Sequence, residues 1–343
     1  MTDGSSPPED GPLPGGDDPI LPFELETPGI RGRLVRLEQT IGTILDQHRY
    51  PPDVSGLVAE AALLTAMIGQ AVKLRWRFSL QVRGEGPVRL IATDYFAPAR
   101  EGEPAEMRAY ASFDAEAVAA AAGAGFALLG RGVMGVTIDQ GPDMRPYQGI
   151  TPLSGNALSD CAEIYFAQSE QLATRFQVVS AHAQEPGGAG RWRAAGLMLQ
   201  QLPEDPTGRA PDQPSGEDGL MTADDVAAMG RNEESWTRVN LLAATVEEHE
   251  LIGPHVSPEE VLRRLFIDER PRVFDAQPIR FGCTCSRERV EAALSQYTAD
   301  ELDQMTTPEG TVTADCQFCS AHYVFRPETL EPAPTPARRV WKG

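Results

Sequence analysis

Two close cysteine pairs, Cys283-Thr284-Cys285 and Cys316-Gln317-Phe318-Cys319, constrain this 343-residue chain more than any other feature. Four soft thiolate donors in one short stretch select a tetrahedral zinc ion. The 30 residues between the pairs suffice for a small cap and no more. We therefore expect one zinc per chain, held by Cys283, Cys285, Cys316 and Cys319. Four protein donors leave no coordination position for a substrate water, so zinc-dependent hydrolysis is not expected. Within the cap, Ser286 can start a helix bearing Val290, Leu294 and Tyr297, and Thr298 with Glu301 can start another.

Spacing alone leaves two roles open. A four-cysteine zinc site often serves only to hold a small module together. Zinc-bound cysteines are also thiolates, the form that peroxide and hypochlorous acid attack, and ejecting the metal removes the folding free energy of the module, roughly 10–16 kcal/mol in zinc peptides. Arg280, Arg287 and Arg289 lie beside the first pair, where they either offset the charge of a four-thiolate site or form a solvated face.

The rest of the chain reads as α+β: an N-terminal domain with a mainly antiparallel sheet and helices, a helical linker, and a small C-terminal four-cysteine zinc module. Residues 1–22, rich in Pro, Gly and Asp, are expected to be a disordered acidic tail, and residues 23–202 the N-terminal domain. Helical spacing runs through Leu34, Leu37, Ile41 and Ile44, and again through Leu57, Ala61, Leu64, Ile68 and Ala71. Strict alternation follows through Leu74, Trp76, Phe78, Leu80 and Val82, then through Val88, Leu90 and Ala92 after a hairpin-type turn at Gly84-Glu85-Gly86. Further strands are expected near 106–113, 125–138, 175–181 and 192–202, with a helix over 156–172. Residues 203–267 form a flexible Pro/Gly/acid insert and a helical linker. Trp236, Val239, Leu242 and Val246 make an apolar stripe on the second linker helix, and Ser257-Pro258-Glu259-Glu260 caps the next. The zinc module spans 268–327, and 328–343 is a tail.

A formal charge of −20 argues against nucleic acid as a partner, although 12 of those charges sit in residues 1–20 and 204–235. No run of about 18 apolar residues points to a membrane, and the N-terminus has no basic-then-apolar signal layout, so a cytoplasmic protein is expected.

The segments Phe281-Gly-Cys-Thr-Cys-Ser-Arg-Glu-Arg289, Asp315-Cys-Gln-Phe-Cys-Ser-Ala-His-Tyr-Val-Phe325, Pro146-Tyr-Gln-Gly-Ile-Thr-Pro-Leu153 and Tyr165-Phe-Ala-Gln-Ser-Glu-Gln171 resemble the heat shock protein 33 family, over about residues 25–327. That family comprises redox-regulated, ATP-independent holdase chaperones. The resemblance implies that the reduced, zinc-bound form is inactive and that oxidation pairs Cys283–Cys285 and Cys316–Cys319. Zinc is then released and the adjacent linker unfolds. The exposed surface holds unfolded or partly folded client proteins, and the oxidised form is a homodimer. The stripe Trp236, Val239, Leu242 and Val246 is by its pattern more often a docked helix face than a binding site, and in a switching chaperone it can be both, covered when reduced and exposed to clients when oxidised. No catalytic turnover is implied. This chain departs from the family in its N-terminal tail, its insert at 203–220 and its C-terminal tail.

Cys161 sits in an apolar helical pattern and is expected to be a buried thiol rather than a fifth redox centre. His322 is expected to support the site rather than ligate it. Two rival readings stand beside the chaperone: a constitutive protein- or RNA-interaction protein with an inert zinc ribbon, and a thiol oxidoreductase using CxxC, which would need a βαβ setting that the sequence does not display.

Overall fold

A computed structural model of the chain describes residues 17–26, 29–184, 190–202 and 223–330. The chain separates into two compact units, Met1–Phe281 and Gly282–Gly343.

The larger unit begins with β1 (Asp18–Glu24), β2 (Ile30–Leu37), α1 (Gln39–Asp46) and α2 (Pro52–Ala71). Five strands and a short helix follow: β3 (Arg77–Gly84), β4 (Val88–Phe96), β5 (Ala105–Phe113), α3 (Ala115–Ala120), β6 (Gly132–Asp139), which crosses back to pair with β3, and β7 (Tyr147–Pro152). Then come α4 (Leu158–Tyr165), β8 (Thr174–Ala183), β9 (Arg191–Gln201), α5 (Ala223–Ala243), α6 (Glu248–Ile252), α7 (Pro258–Leu265), β10 (Arg272–Val273) and β11 (Gln277–Phe281). The strands form one sheet in the order β7-β6-β3-β4-β5-β11-β1-β2-β9-β8, with β10 beside β1. Only the β11–β5 pairing is parallel. The fold is α+β with an antiparallel-dominated sheet.

Helix α2 lies at the centre of the main core. Its sequence, PDVSGLVAEAALLTAMIGQA, is apolar on nearly every side, so it is satisfied only by burial all round. It is long and apolar enough to cross a membrane, yet Leu63, Leu64 and Met67 are fully buried with Phe78, Leu80, Ile91 and Met198 in the main core. A second core lies on the opposite face of β1, β2 and β9. Leu21, Phe23, Leu34, Leu197 and Leu199 meet Val239 and Ala243 of α5, Leu251 of α6, and Val261, Leu262 and Phe266 of and after α7. Each large side chain buried here contributes about 1.5–3 kcal/mol. Polar contacts fix the layer in register: Arg238 donates to both carboxylate oxygens of Glu269, at 2.7 and 3.1 Å, and Arg36 donates to the carbonyls of Glu250 and Leu251 at the end of α6. Those carbonyls have no partner inside a helix that ends there.

The structure departs from the sequence reading in particular places. Asp18–Pro22 lies within β1, although residues 1–22 were expected to be disordered. Ile20 and Leu21 are buried on opposite faces, and the Asp18 carboxylate accepts from the amides of Gln39 and Thr40, capping α1 from a distant strand. Pro19 and Pro22 disguise this strand; residues 1–16 lie outside the described part. Leu34 and Leu37 belong to β2 rather than to a helix. Leu34 faces the second core and Val35 and Leu37 the main one, the alternation of a strand buried on both sides. In β4 a bulge between Val88 and Leu90 shifts the register, so Val88, Ile91 and Tyr95 face the main core instead of Val88, Leu90 and Ala92. Residues 125–129 form a 3₁₀ turn before β6, and β7 had no counterpart in the reading. Trp236, Val239 and Leu242 lie on α5, a single helix from Ala223, and Val246 follows it rather than extending a second helix. The helices of 223–267 and the strands β10 and β11 belong to the larger unit, which ends at Phe281 rather than 202. Residues 203–222, which include the insert at 203–220, and the tail beyond 330 lie outside the described residues.

Candidate metal centre

The smaller unit is built from capped helices and one hairpin: α8 (Arg287–Leu294), α9 (Ala299–Met305), β12 (Val312–Asp315) and β13 (His322–Phe325). Both expected helix starts are present. The Ser286 hydroxyl accepts from the Arg289 amide, and Thr298 and Glu301 form a reciprocal capping box. The apolar centre is small, comprising Leu294, Leu302, Val312, Phe325 and Leu330 with Val290 and Tyr323 against it. A core this size supplies little stability alone.

The cysteines sit on two tight loops. Cys283 and Cys285 immediately precede α8; Cys316 and Cys319 lie in the β12–β13 connection. That loop is folded by the Cys316 amide donating to the Ala321 carbonyl at 2.9 Å and the Ser320 amide donating to the Cys316 carbonyl at 2.8 Å, with Ser320 left-handed at φ 53°. The Arg289 guanidinium donates to the Thr284 carbonyl at 2.5 Å, bracing the first loop from α8. Arg287 lies over the Phe325 ring, 4.4 Å from its centroid, and donates to the Val324 carbonyl. Arg280 belongs to the larger unit, where it pairs with Glu106 at 2.9 Å. Of the three arginines named from the sequence, Arg289 is thus the one joined to a cysteine loop.

The four Sγ atoms converge, all within 4.8 Å of one another. Cys283 and Cys316 are 3.7 Å apart and Cys285 and Cys319 3.3 Å. A tetrahedron with Zn–S bonds of about 2.3 Å has edges of about 3.8 Å, whereas a disulfide needs about 2.05 Å. The cluster therefore has the donor set, size and reduced state of a zinc site, and the residues fit that ion. Tyr323, which the sequence reading did not single out, donates its hydroxyl to Cys285 Sγ at 3.2 Å. Burial pushes the Cys285 thiol up, but the hydrogen bonds from Tyr323 and the neighbouring thiols outweigh it and hold Cys285 at about 7. Burial, with the hydrogen bond to Cys285, pushes Cys319 well above the ordinary thiol range. Cys285 is thus drawn toward the thiolate and Cys319 toward the thiol, and a divalent cation would favour the thiolate at both. His322 turns instead to Asp315, with Nδ1 2.6 Å from Oδ1.

The other tempting residues fall elsewhere. Cys161 is fully buried; its Sγ donates to the Ser154 carbonyl at 3.2 Å, and burial raises its pKa. Gly84-Glu85-Gly86 links β3 to β4 as a hairpin packed so closely that a Cβ on Gly84 would come within 2.3 Å of the Leu129 carbonyl oxygen. Trp236, Leu242 and Val246 are half-buried and Val239 fully buried, all against the second core. The segments 146–153 and 165–171 meet, and Gly149 is required there: a Cβ would come within 2.4 Å of the Tyr165 ring.

Comparison with known proteins agrees with this architecture. The family model for the Hsp33 protein matches residues 18–326. A 33 kDa chaperonin from Caulobacter vibrioides is 37% identical over 317 residues, covering 91% of this chain and 95% of the relative. One from Ectopseudomonas mendocina is 35% identical over 304 residues, covering 88% and 90%. The crystal structure of the 33 kDa chaperonin from Thermotoga maritima superposes with a TM-score of 0.70 at 20% identity, covering 91% of this chain and 96% of that one, a likeness of fold.

Proposed function

Because this chain belongs to the Hsp33 chaperone family, we propose that it is a redox-regulated, ATP-independent holdase whose sensor is the Cys283, Cys285, Cys316 and Cys319 cluster. The observation that carries this reading is the convergence of four unbonded thiols in a unit with so small a core. One zinc per chain would keep these sulfurs as thiolates and tie the loop before α8 to the β12–β13 loop. The protein's own groups prepare the chemistry: Tyr323 supports the charge on Cys285, and Arg289 braces the first loop.

Two electrons leave each thiol pair. Each hydrogen peroxide takes them with two protons to give two waters, so two peroxides form two disulfides, which bind zinc poorly. The pairing proposed is the one the resemblance implies, Cys283–Cys285 and Cys316–Cys319. Without its cross-link the small unit has little left to hold it folded.

The route to the larger unit is the chain itself. β11 ends at Phe281, two residues before Cys283, and it joins β5 on one side to β1 on the other. Loosening β11 weakens the strands on which α5–α7 rest. Undocking that layer uncovers Trp236, Val239, Leu242 and Val246 together with the apolar face of β1, β2 and β9, a surface suited to unfolded clients and to pairing of oxidised copies. We place the protein in the cytoplasm, where thiols stay reduced until stress, and assign it no enzymatic turnover, nucleic acid or membrane partner.

The test compares the reduced, zinc-loaded protein with the peroxide-treated one for zinc content, thiol state, oligomeric state and suppression of a model client's thermal aggregation. Activity only after oxidation, with one zinc released per chain, is expected. Zinc content unchanged by peroxide would favour the inert-ribbon reading.

A further inference from the structure

The segment 165–171, singled out in the sequence, does more than pack against Gly149. Helix α4 runs into a π-helical turn over Phe166–Glu170, closed by the Leu172 amide donating to the Phe166 carbonyl, with Gln171 left-handed at φ 54°. Such turns recur where a helix is opened around a functional site. This one lines a cavity of about 220 Å³ in the larger unit, whose apolar wall includes Ile68, Phe78, Phe166 and Leu172.

Arg33 and Arg31 also line it, two residues apart on β2 and so on the same face. Arg33 is only 9% exposed. The one hydrogen bond that its side chain makes among the described residues runs from Nε to the neutral amide oxygen of Gln70 at 2.6 Å, and no described carboxylate pairs with its guanidinium. Burial, with the charge of Arg31, lowers its pKa to about 10, which still leaves it charged at neutral pH. Glu170 is the acid in the cavity wall; its carboxylate accepts from the Tyr165 hydroxyl at 2.7 Å and pairs with neither arginine. The cavity lining thus carries two guanidiniums against one carboxylate, alongside an apolar wall. A buried guanidinium held by one neutral acceptor is costly unless an anion or water completes its shell.

We propose that this cavity binds a small organic carboxylate with an apolar body, Arg33 and Arg31 taking the carboxylate and Ile68, Phe78, Phe166 and Leu172 the body. The volume equals that of about seven waters at roughly 30 Å³ each, which suits a ligand the size of hexanoate. The site is separate from the cysteine cluster and does not depend on the redox reading.

Calorimetric titration of the reduced, zinc-loaded, full-length protein tests it, with hexanoate as the probe and 1-hexanol as its uncharged counterpart. Hexanoate should bind one per chain and at least about tenfold more tightly than hexanol, the usual worth of a charge-assisted contact. Arg33→Met should weaken hexanoate by about tenfold or more, and Arg31→Gln, at an exposed position, by a few-fold, with hexanol and zinc content unchanged. If Arg33→Met does not fold, Arg31→Gln and the hexanoate-to-hexanol ratio decide the matter. The proposal is overturned by equal affinity for the two probes, by no hexanoate binding at about 10 mM, or by binding insensitive to both substitutions. It is overturned equally by binding that emerges only in a Glu204→Gln/Asp205→Asn protein, since the chain's own acids after Leu202 would then be the arginines' partners.

Discussion

If docking of α5 gates the holdase, weakening that docking should produce activity without oxidant, and Val239 is the position at which to do it. The side chain is fully buried against the second core, while Trp236 on the same helix is only half-buried. Val239→Ala removes two methylene equivalents, about 1.6 kcal/mol of transfer free energy, and the unfilled space raises the cost toward about 3 kcal/mol. At 1.36 kcal/mol per tenfold, the undocked population rises about 10- to 150-fold. The substitution also raises intrinsic helix propensity by a few tenths of a kcal/mol, so any loss reports docking rather than helix formation. Hydrogen exchange of the α5 amides in the reduced, zinc-loaded protein measures the opening, and client aggregation measures the output. Leu241→Ala, on the 66% exposed face of the same helix, should change neither. If exchange accelerates as expected while the reduced protein stays inactive, the docked-helix gate is wrong and the thiol chemistry must act elsewhere. If exchange does not change, the energetic reading of the second core is wrong.

Replacing Cys316 with Ser should lower zinc occupancy measured with a colorimetric chelator, since a hydroxyl is a poor zinc ligand at neutral pH, and full retention would refute the four-sulfur site. Peptide mapping after peroxide should recover Cys283–Cys285 and Cys316–Cys319 links and leave Cys161 alkylated only after unfolding. Glu60, whose carboxylate accepts from the Ser159 amide and hydroxyl, has its pKa raised by burial. Its stabilising contribution is therefore complete below the ordinary glutamate value and lost as pH rises through the elevated one. Glu60→Gln keeps an acceptor and sheds the charge, so its urea midpoint relative to wild type should improve as pH rises above the ordinary glutamate range; a difference that shrinks on that rise would contradict the sign.

What could be read from the sequence depended on how local the information was. The cysteine loops and the caps at Ser257, Ser286 and Thr298 are encoded within four residues, and each is where the spacing put it. The strand β1 was hidden because its reason to exist is distant. Asp18 is bound by amides of α1, and Ile20 and Leu21 find their partners on helices remote in sequence. The β4 bulge was invisible for the same cause, since Val88 and Leu90 differ in facing only through their pairing with Phe113 and Ser112. Tyr323 left no periodic signal, because its role is a single hydroxyl reaching a sulfur 38 residues earlier in the chain.

The placement of β11 changes how the division of labour along this chain is understood. The sequence suggests a switch attached through a linker, with sensing and binding parts that touch only where the linker allows. Instead the last strand before the first cysteine lies inside the large sheet, between β5 and β1, and the Gln277 side chain donates to the Glu103 carbonyl while Thr40 donates to the Ile279 carbonyl. β1, paired to β11, carries Leu21 and Phe23 on the face that α5–α7 cover, and Phe23 stacks on Phe266 with ring centroids 5.9 Å apart. On the proposed reading, a disturbance that starts at Cys283 has one intervening residue, Gly282, to cross before it reaches a strand whose neighbour supports the covering helices. Strand pairing is cooperative, so an end that frays exposes the next pair. On the proposed reading, losing the cross-link in the small unit removes the support that holds β11 in place, and the specificity comes from which strand that unit is spliced onto.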